Sequence, residues 1–121
     1  MSLQIHVRDL PNVAILSLEG RVTLGEGSSA LRQAVKDALA RGSKRMILNL
    51  SKVPYIDSAG LGELVGTYAT VRNQGGDVKL VGVQAKVQGL LQVTKLHTVF
   101  EVCDDEATAV AKLNASAGAG A

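Results

Sequence analysis

A strand–helix–strand pattern between residues 46 and 83 constrains the fold more than any other feature of this sequence. Met46–Leu50 and Val78–Val83 are short apolar runs of strand length, and a helical segment between them begins near Ser58 and fades after Asn73. Two strands joined by a helix are expected to lie parallel with a right-handed crossover, because the helix returns the chain to the end of the sheet from which it started. The sequence therefore predicts an α/β fold that contains a parallel pair of strands.

The N-terminal residues predict a β-hairpin. Leu3, Ile5 and Val7 alternate with polar residues, which is the pattern of a half-buried strand. A turn at residues 9–12 separates this strand from a nearly continuous apolar run at Val13–Leu18. Because a hairpin pairs its two strands antiparallel, we expect the sheet as a whole to be mixed.

The remaining segments predict three more helices and one short strand, from their periodicity and their flanking capping residues. The predicted boundaries are a helix capped by Ser28 or Ser29 and followed by Gly42, a helix over Ala85–Val93, an extended stretch at Val99–Val102, and a last helix capped by Asp104 or Asp105 and ending at Leu113. We expect a single α/β domain at residues 1–113, with a mixed β-sheet of four to five strands packed by about four helices. A flexible Ala/Gly/Ser tail is expected at residues 114–121.

Composition and charge exclude several classes of function. The chain has 121 residues, a formal net charge of +2 and one basic cluster, Arg41–Arg45, which two small residues interrupt. With two tyrosines, one phenylalanine and no tryptophan, it lacks a platform on which bases could stack, so we expect no nucleic-acid partner. No apolar run reaches membrane-spanning length and the N-terminus has no signal-peptide pattern, so we expect no membrane partner and a cytoplasmic protein. The single cysteine, Cys103, is expected to be a buried, reduced thiol.

The sequence offers little support for catalysis. Ser58 stands where a strand leads into a helix, as the nucleophile of α/β-hydrolases does, but that motif needs a glycine where this chain has Ile56. His6 and His97 lie far apart in sequence and are expected to be ordinary surface or edge histidines rather than triad members or metal ligands. The sequence also has no phosphate-binding loop motif. We therefore expect a protein that is not an enzyme and that uses no metal or other cofactor.

The helix that begins near Ser58 has two dissimilar faces. At about 100° per residue, one arc carries the large apolar side chains and should pack on the sheet. Its members are Leu61, Leu64, Val65 and Tyr68. The opposite arc, which we call the open stripe, consists of Ala59, Gly62, Gly66 and Thr70, with Glu63 and Asn73 at its margins. Glycine in a helix costs about 0.8 to 1.0 kcal/mol relative to alanine, so another requirement favours these glycines, and we expect a partner chain to approach the open stripe closely.

Ser58 lies at the start of the open stripe and is a candidate phosphorylation site. Free backbone N–H groups and the positive end of the helix dipole favour a negative charge there, so a phosphate would be tolerated locally. The neighbouring Asp57 would repel the phosphate, so that modification would change the surface without necessarily unfolding the helix. Alternatively, Ser58 or Asp57 is an ordinary N-cap and the glycines relieve crowding with a neighbouring loop.

The segment Asp57-Ser58-Ala59-Gly60-Leu61-Gly62 resembles the Asp-Ser-Ser-Gly-Leu-Gly signature of STAS domains in anti-sigma factor antagonists. The resemblance also covers the order of elements, the Gly75-Gly76 turn and the stretch Thr94-Lys95-Leu96. It implies that Ser58 is phosphorylated by a partner that is both an anti-sigma factor and a serine kinase. In such a cycle the unphosphorylated antagonist binds that partner and frees the sigma factor, and a PP2C-type phosphatase resets the switch.

This chain departs from the family pattern at two positions. Ala59 replaces the second serine of the signature, which leaves Ser58 as the only hydroxyl acceptor within it. Thr23 stands where the family often has an acidic residue, and Glu26 is the nearest acid that could substitute. The predicted partner-binding residues are Thr23, Glu26, Asp57, Ser58, Ala59, Gly60, Gly62, Glu63 and Gly66. The alternative function is a constitutive STAS interaction module of a signalling scaffold or transporter complex, which would use the same helix without phosphorylation.

Overall fold

A computed structural model describes residues 3–120 as one mixed five-stranded sheet with helices on both faces. In chain order the elements are β1 (Gln4–Asp9), β2 (Ala14–Glu19), α1 (Glu26–Ala40), β3 (Arg45–Lys52), α2 (Ser58–Asn73), β4 (Asp77–Val81), α3 (Ala85–Val93), a 3₁₀ turn (Leu96–Thr98), β5 (Glu101–Cys103) and α4 (Glu106–Gly120). No helix within the described residues is both long enough and apolar enough to cross a bilayer.

The strands lie in the order β1-β2-β3-β4-β5, with β1 antiparallel to β2 and the other neighbouring pairs parallel. The hairpin, the parallel pair on either side of α2 and the mixed sheet are therefore confirmed. In the parallel pair, Met46 stands opposite Val78 and Leu48 opposite Leu80. β4 ends at Val81 rather than at Val83, because Gly82 adopts a left-handed backbone conformation with φ of 69°.

Each face of the sheet has its own hydrophobic core. Leu16, Leu48 and Leu64 belong to the larger core, beneath α1, α2 and α3, whereas Ile15 and Ile47 point to a smaller core beneath α4. Because side chains alternate along a strand, burial on both faces explains why β2 and β3 are continuous apolar runs. The predicted burial of Cys103 is also confirmed, since its free thiol lies in the smaller core and burial raises its pKa.

The predicted start of the first helix is wrong, whereas its predicted end is confirmed. α1 begins at Glu26 rather than after Ser28 or Ser29, because its N-cap is Gly25, with φ of 93°. The Ser28 hydroxyl is buried and donates to the Gly25 carbonyl oxygen at 3.2 Å, so it lies inside the first turn. At the other end of α1, Gly42 has φ of 89°, as a residue that ends a helix should.

The C-terminal part of the chain corrects two further boundaries. β5 occupies Glu101–Cys103 instead of Val99–Val102, because the N–H of Phe100 still donates to the Leu96 carbonyl of the 3₁₀ turn. The predicted cap Asp105 does accept the backbone N–H of Thr108 at 2.7 Å, and α4 continues past Leu113 to Gly120. Alanines favour such an extension. The flexibility of residues 114–121 stays a prediction, and Ala121 lies outside the described residues.

Candidate partner-binding site

The turn between β3 and α2 is organised by Asp57, which is the N-cap of the helix. Its backbone is extended, and its Oδ1 accepts the N–H of Gly60 at 2.8 Å. Its Oδ2 accepts the N–H of Leu24, in the loop between β2 and α1, at 3.0 Å. One carboxylate therefore caps α2 and ties a second loop to it. The N-cap interpretation is correct for Asp57, whereas Ser58 is the first helical residue and is exposed.

These hydrogen bonds also set the charge of the turn. The N–H of Gly60, and after it the N–H of Leu24, lowers the pKa of Asp57, because both bonds favour the ionised carboxylate. Asp57 therefore carries a negative charge at neutral pH, immediately before Ser58. A phosphate on Ser58 would meet both this charge and the positive end of α2.

The loop between β2 and α1 is held against the same turn through Val22. Val22 forms an isolated parallel bridge with Ile56, and its N–H donates to the Tyr55 carbonyl at 3.3 Å. In return, the N–H of Asp57 donates to the Val22 carbonyl at 3.3 Å. Thr23, next in this loop, is half-buried and its carbonyl accepts the N–H of Ser28, whereas Glu26 is exposed in the first turn of α1. The structure thus brings the loop that carries Thr23 against the signature turn.

Gly60 lies inside the protein, unlike the other glycines of α2. A Cβ atom at this position would lie 2.0 Å from the Val22 carbonyl oxygen and 2.8 Å from Cγ2 of Ile56. Such distances are far inside van der Waals contact, so only glycine allows α2 to start this close to the loop. Gly60 was predicted to contact a partner, but the structure assigns it to internal packing.

The open stripe is where the sequence placed it. A Cβ atom at Gly62 or Gly66 would meet nothing within 4 Å, and Thr70 is also exposed. Ala59 is half-buried at the start of the stripe. At its margin, the Glu63 carboxylate accepts from the Arg32 guanidinium of α1 at 2.7 Å, which links the two helices.

The core-facing arc of α2 is confirmed and is wider than predicted. Leu61 and Leu64 are buried, and Val65 and Tyr68 pack partly against the same core. Thr67 and Val71 are buried as well, and the apolar periodicity that identified the arc did not include them.

Two exposed apolar side chains beside Ser58 were missed. Leu24 is 79% exposed, and Tyr55 is 42% exposed with the Arg21 guanidinium 5.9 Å from its ring centroid. Both residues belong to segments tied to the same turn, since the Leu24 N–H donates to the Asp57 carboxylate and the Tyr55 carbonyl accepts the N–H of Val22. The sequence contained one indication of their exposure: Leu24 and Tyr55 fall in loops, where no helical or strand periodicity predicts burial.

Comparisons with known proteins point to one family. The STAS domain model matches residues 4–109. The anti-sigma F factor antagonist of Paenibacillus polymyxa is 28% identical over 114 residues, covering 93% of this chain and 97% of that protein. The anti-sigma-B factor antagonist of Bacillus subtilis (strain 168) is 28% identical over 102 residues, covering 84% and 92%. The crystal structure of an anti-sigma factor antagonist from Mycobacterium paratuberculosis matches with a TM-score of 0.81 at 23% identity, covering 93% of this chain and 95% of that one, and shows a shared fold.

Proposed function

The chain belongs to the STAS domain family, as its signature predicted, and we propose that it is an anti-sigma factor antagonist switched by phosphorylation of Ser58. With Ser58 unmodified, it binds an anti-sigma factor that has serine kinase activity. Phosphorylation of Ser58 ends that binding, and a PP2C-type phosphatase restores it. The cycle takes place in the cytoplasm, and the chain itself performs no catalytic step.

The observation that carries this proposal is the placement of Ser58. It is an exposed first residue of α2, next to an ionised Asp57 and at the start of the open stripe. A phosphate would add about −1.5 to −2 charges there at neutral pH. The positive end of the helix offsets part of this charge, so that the fold persists while the surface that meets the partner becomes more negative locally.

The surroundings of Ser58 suit protein binding. Leu24 and Tyr55 offer two exposed apolar anchors from neighbouring loops, and the missing side chains of Gly62 and Gly66 let a partner backbone come close. Interfaces of this kind combine a few buried apolar or aromatic anchors with a close-packed surround. The relatives similar to this chain are named as antagonists of a protein, an anti-sigma factor.

The test begins with isolation of the protein from its own cells and identification of the copurifying anti-sigma factor. The dissociation constant of the purified complex is then measured for wild type, Ser58→Ala and Ser58→Asp. We expect Ser58→Ala to bind about as well as wild type and to resist phosphorylation by ATP and the partner, whereas Ser58→Asp binds more weakly. Ser43→Asp is the matched control, because it adds the same charge outside the Ser58 turn, just beyond the C-terminal end of α1. Circular dichroism of each variant excludes misfolding.

The alternative is the constitutive STAS interaction module, in a signalling scaffold or transporter complex. Thr23 favours it, because an uncharged residue stands where related antagonists often carry an acid. The same experiment separates the two functions. If folded Ser58→Asp and Ser58→Ala bound equally well, and if ATP with the partner labelled none of the proteins, the phosphorylation switch would give way to the constitutive module.

A further inference from the structure

β1 forms one edge of the sheet, and no strand within residues 3–120 pairs with its outer side. It is six residues long, whereas β5 at the opposite edge has three. β1 contains no proline, and its register with β2 runs without a bulge from Gln4 to Asp9. Proteins commonly protect sheet edges with short strands, prolines or bulges, because an open edge pairs readily with another strand. β1 therefore forms an edge that can accept a further strand.

The hydrogen bonds of the hairpin show which backbone groups face this edge. Leu10 and Val13 exchange both backbone hydrogen bonds, at 2.8 and 3.4 Å, and so form a hydrogen-bonded pair. Hydrogen-bonded and non-hydrogen-bonded pairs alternate along an antiparallel ladder, so the even-numbered residues of β1 bond to β2. The N–H and C=O groups of Ile5 and Val7 therefore point away from β2, toward the free edge.

An apolar groove of about 390 Å³ lies beside the same edge, between β1 and α1. Its apolar lining comes from Leu3, Ile5 and Val7 on one side and from Ala30 and Ala34 on the other. Val7 is 44% exposed there. A water molecule occupies about 30 Å³ in the liquid, so the groove has room for branched aliphatic side chains. The open edge thus has apolar surface next to its unpaired backbone groups.

Antiparallel pairing of β1 with a second copy of itself matches its own side chains. Paired residues must both face the new neighbour or both face away from it, so the two-fold axis passes through one residue that stands opposite its own copy. With His6 on the axis, Ile5 stands opposite Val7 of the second copy, and Gln4 stands opposite Arg8. With Val7 on the axis, Ile5 would instead stand opposite a charged carboxylate, and with Ile5 on the axis the overlap would shorten. The axis through His6 gives the longest overlap that keeps apolar side chains opposite each other.

We propose that two copies of this chain associate through their β1 strands, which pair antiparallel about His6 and join two five-stranded sheets into one. The outward backbone groups of Ile5 and Val7 bond to those of the second copy, and the side chains of this pair lie on the α1 face, at the groove. Because the interface is small, association is weak and depends on concentration. The inference goes beyond the proposed function and does not depend on it, since Ser58 and the open stripe lie outside β1 and the groove.

Sedimentation equilibrium of the full chain measures this association. Between about 1 μM and about 1 mM, the average mass of the wild type should rise from 12.6 kDa toward twice that value. Val7→Pro removes the outward N–H and leaves the bonds to β2 in place, so self-association should weaken about 10-fold or more, because both copies lose a hydrogen bond. Val7→Lys should also weaken it, because a lysine would face Ile5. Val102→Lys, the same change at an exposed position of β5, is the matched control and should leave association unchanged.

Disulfide cross-linking tests the position of the axis. In the proposed register the two copies of residue 6 form a non-hydrogen-bonded pair, with about 4.5 Å between their Cα atoms. A disulfide spans Cα separations of about 4.4 to 6.8 Å, so His6→Cys should form a covalent dimer on oxidation. Val7→Cys is the control, because its two copies lie diagonally across the pair, about 7 to 8 Å apart. The native Cys103 is buried and should not react.

Circular dichroism of each variant excludes misfolding. The inference is overturned if the wild-type mass stays at the monomer value at every concentration, or if folded Val7→Pro and Val7→Lys associate as strongly as wild type. Equal yields of covalent dimer from His6→Cys and Val7→Cys would refute the register about His6. A wild type that stays monomeric, while Val7→Pro weakens binding to the copurified anti-sigma factor, would show that the edge takes a strand of that partner instead of a second copy.

Discussion

Gly60 and the two glycines of the open stripe belong to one helix but have opposite surroundings. A side chain at Gly60 would collide with the Val22 backbone, whereas side chains at Gly62 and Gly66 would extend into open space. Gly60 is needed because only glycine lets the start of α2 pack against the Val22 backbone. The other two lower helix stability by about 0.8 to 1.0 kcal/mol each relative to alanine, with no internal contact to require them. Glycines that look alike in a motif therefore serve internal packing in one case and leave the outer surface of the helix open in the other.

The same contrast extends to the leucines on the two sides of α2. Leu64 is completely buried beneath the helix, whereas Leu24, in the loop that Asp57 holds against the helix, is 79% exposed. Burial of the Leu64 side chain stabilises the folded state, and this explains why a large apolar residue stands there. Folding does not account for an exposed Leu24, which suits contact with a second protein. The molecule therefore has an inner side of α2 that stabilises the fold and an outer side, with Gly62, Gly66 and the nearby Leu24, that faces solvent.

The largest effect is expected for Leu64→Ala. Removing a fully buried leucine should lower the free energy of unfolding by about 2 to 5 kcal/mol, because both transfer energy and packing are lost. Urea denaturation followed by circular dichroism measures this. Leu24→Ala is the matched control, and an exposed position should change stability by less than about 0.5 kcal/mol. An unchanged midpoint for Leu64→Ala would reverse the assignment of the two faces.

A smaller loss is expected for Gly60→Ala. The new Cβ must displace the Val22 carbonyl or the helix start, and overpacking of this kind costs about 1 to 3 kcal/mol even though alanine is the better helix former. The same urea titration measures it. A stability gain would mean that Gly60 has space around it, and the contrast with Gly62 would disappear.

Asp57→Ala should destabilise the protein less than Gly60→Ala does, and the loss of stability should depend on pH. The folded state lowers the pKa of Asp57, so its carboxylate stabilises the fold above the ordinary aspartate pKa of about 3.9, and this contribution is lost as the pH falls through the lower folded value. The difference in unfolding midpoint between wild type and variant should therefore shrink below about pH 4. Hydrogen exchange at the Leu24 amide should speed up in the variant, because its acceptor is gone. A midpoint difference that persists unchanged at acid pH would argue against the ionised cap.

The smallest changes in stability are expected at the open stripe. Gly62→Ala and Gly66→Ala should each raise the free energy of unfolding by up to about 0.8 to 1.0 kcal/mol, because alanine favours the helix and meets no neighbour. Gly62→Leu and Gly66→Leu should also stay folded yet bind the partner more weakly. Thermal melts and binding measurements on the same preparations test both statements. A leucine variant without a melting transition would place that glycine inside.

Local patterns in the sequence determined the fold class and the outline of the site. Strand length, helical period and the glycines at turns predicted the mixed sheet and the helix that begins at Ser58, because these signals depend on residues that are close in sequence. The wheel of α2 separated Leu64 from Gly62 and Gly66 for the same reason. The signature from Asp57 to Gly62 then indicated the family.

Only the tertiary structure decided what depends on residues distant in sequence. The carboxylate of Asp57 reaches the backbone of Leu24, 33 positions away, and the Val22 carbonyl excludes a side chain from Gly60. The sequence assigned Thr67 to neither face of α2, whereas in the structure it is 3% exposed and its Oγ1 makes no hydrogen bond within residues 3–120. Hydrogen bonds and steric contacts between two loops form because the sheet brings the loops together. The periodicity of residues within either loop does not predict which distant loop it will meet.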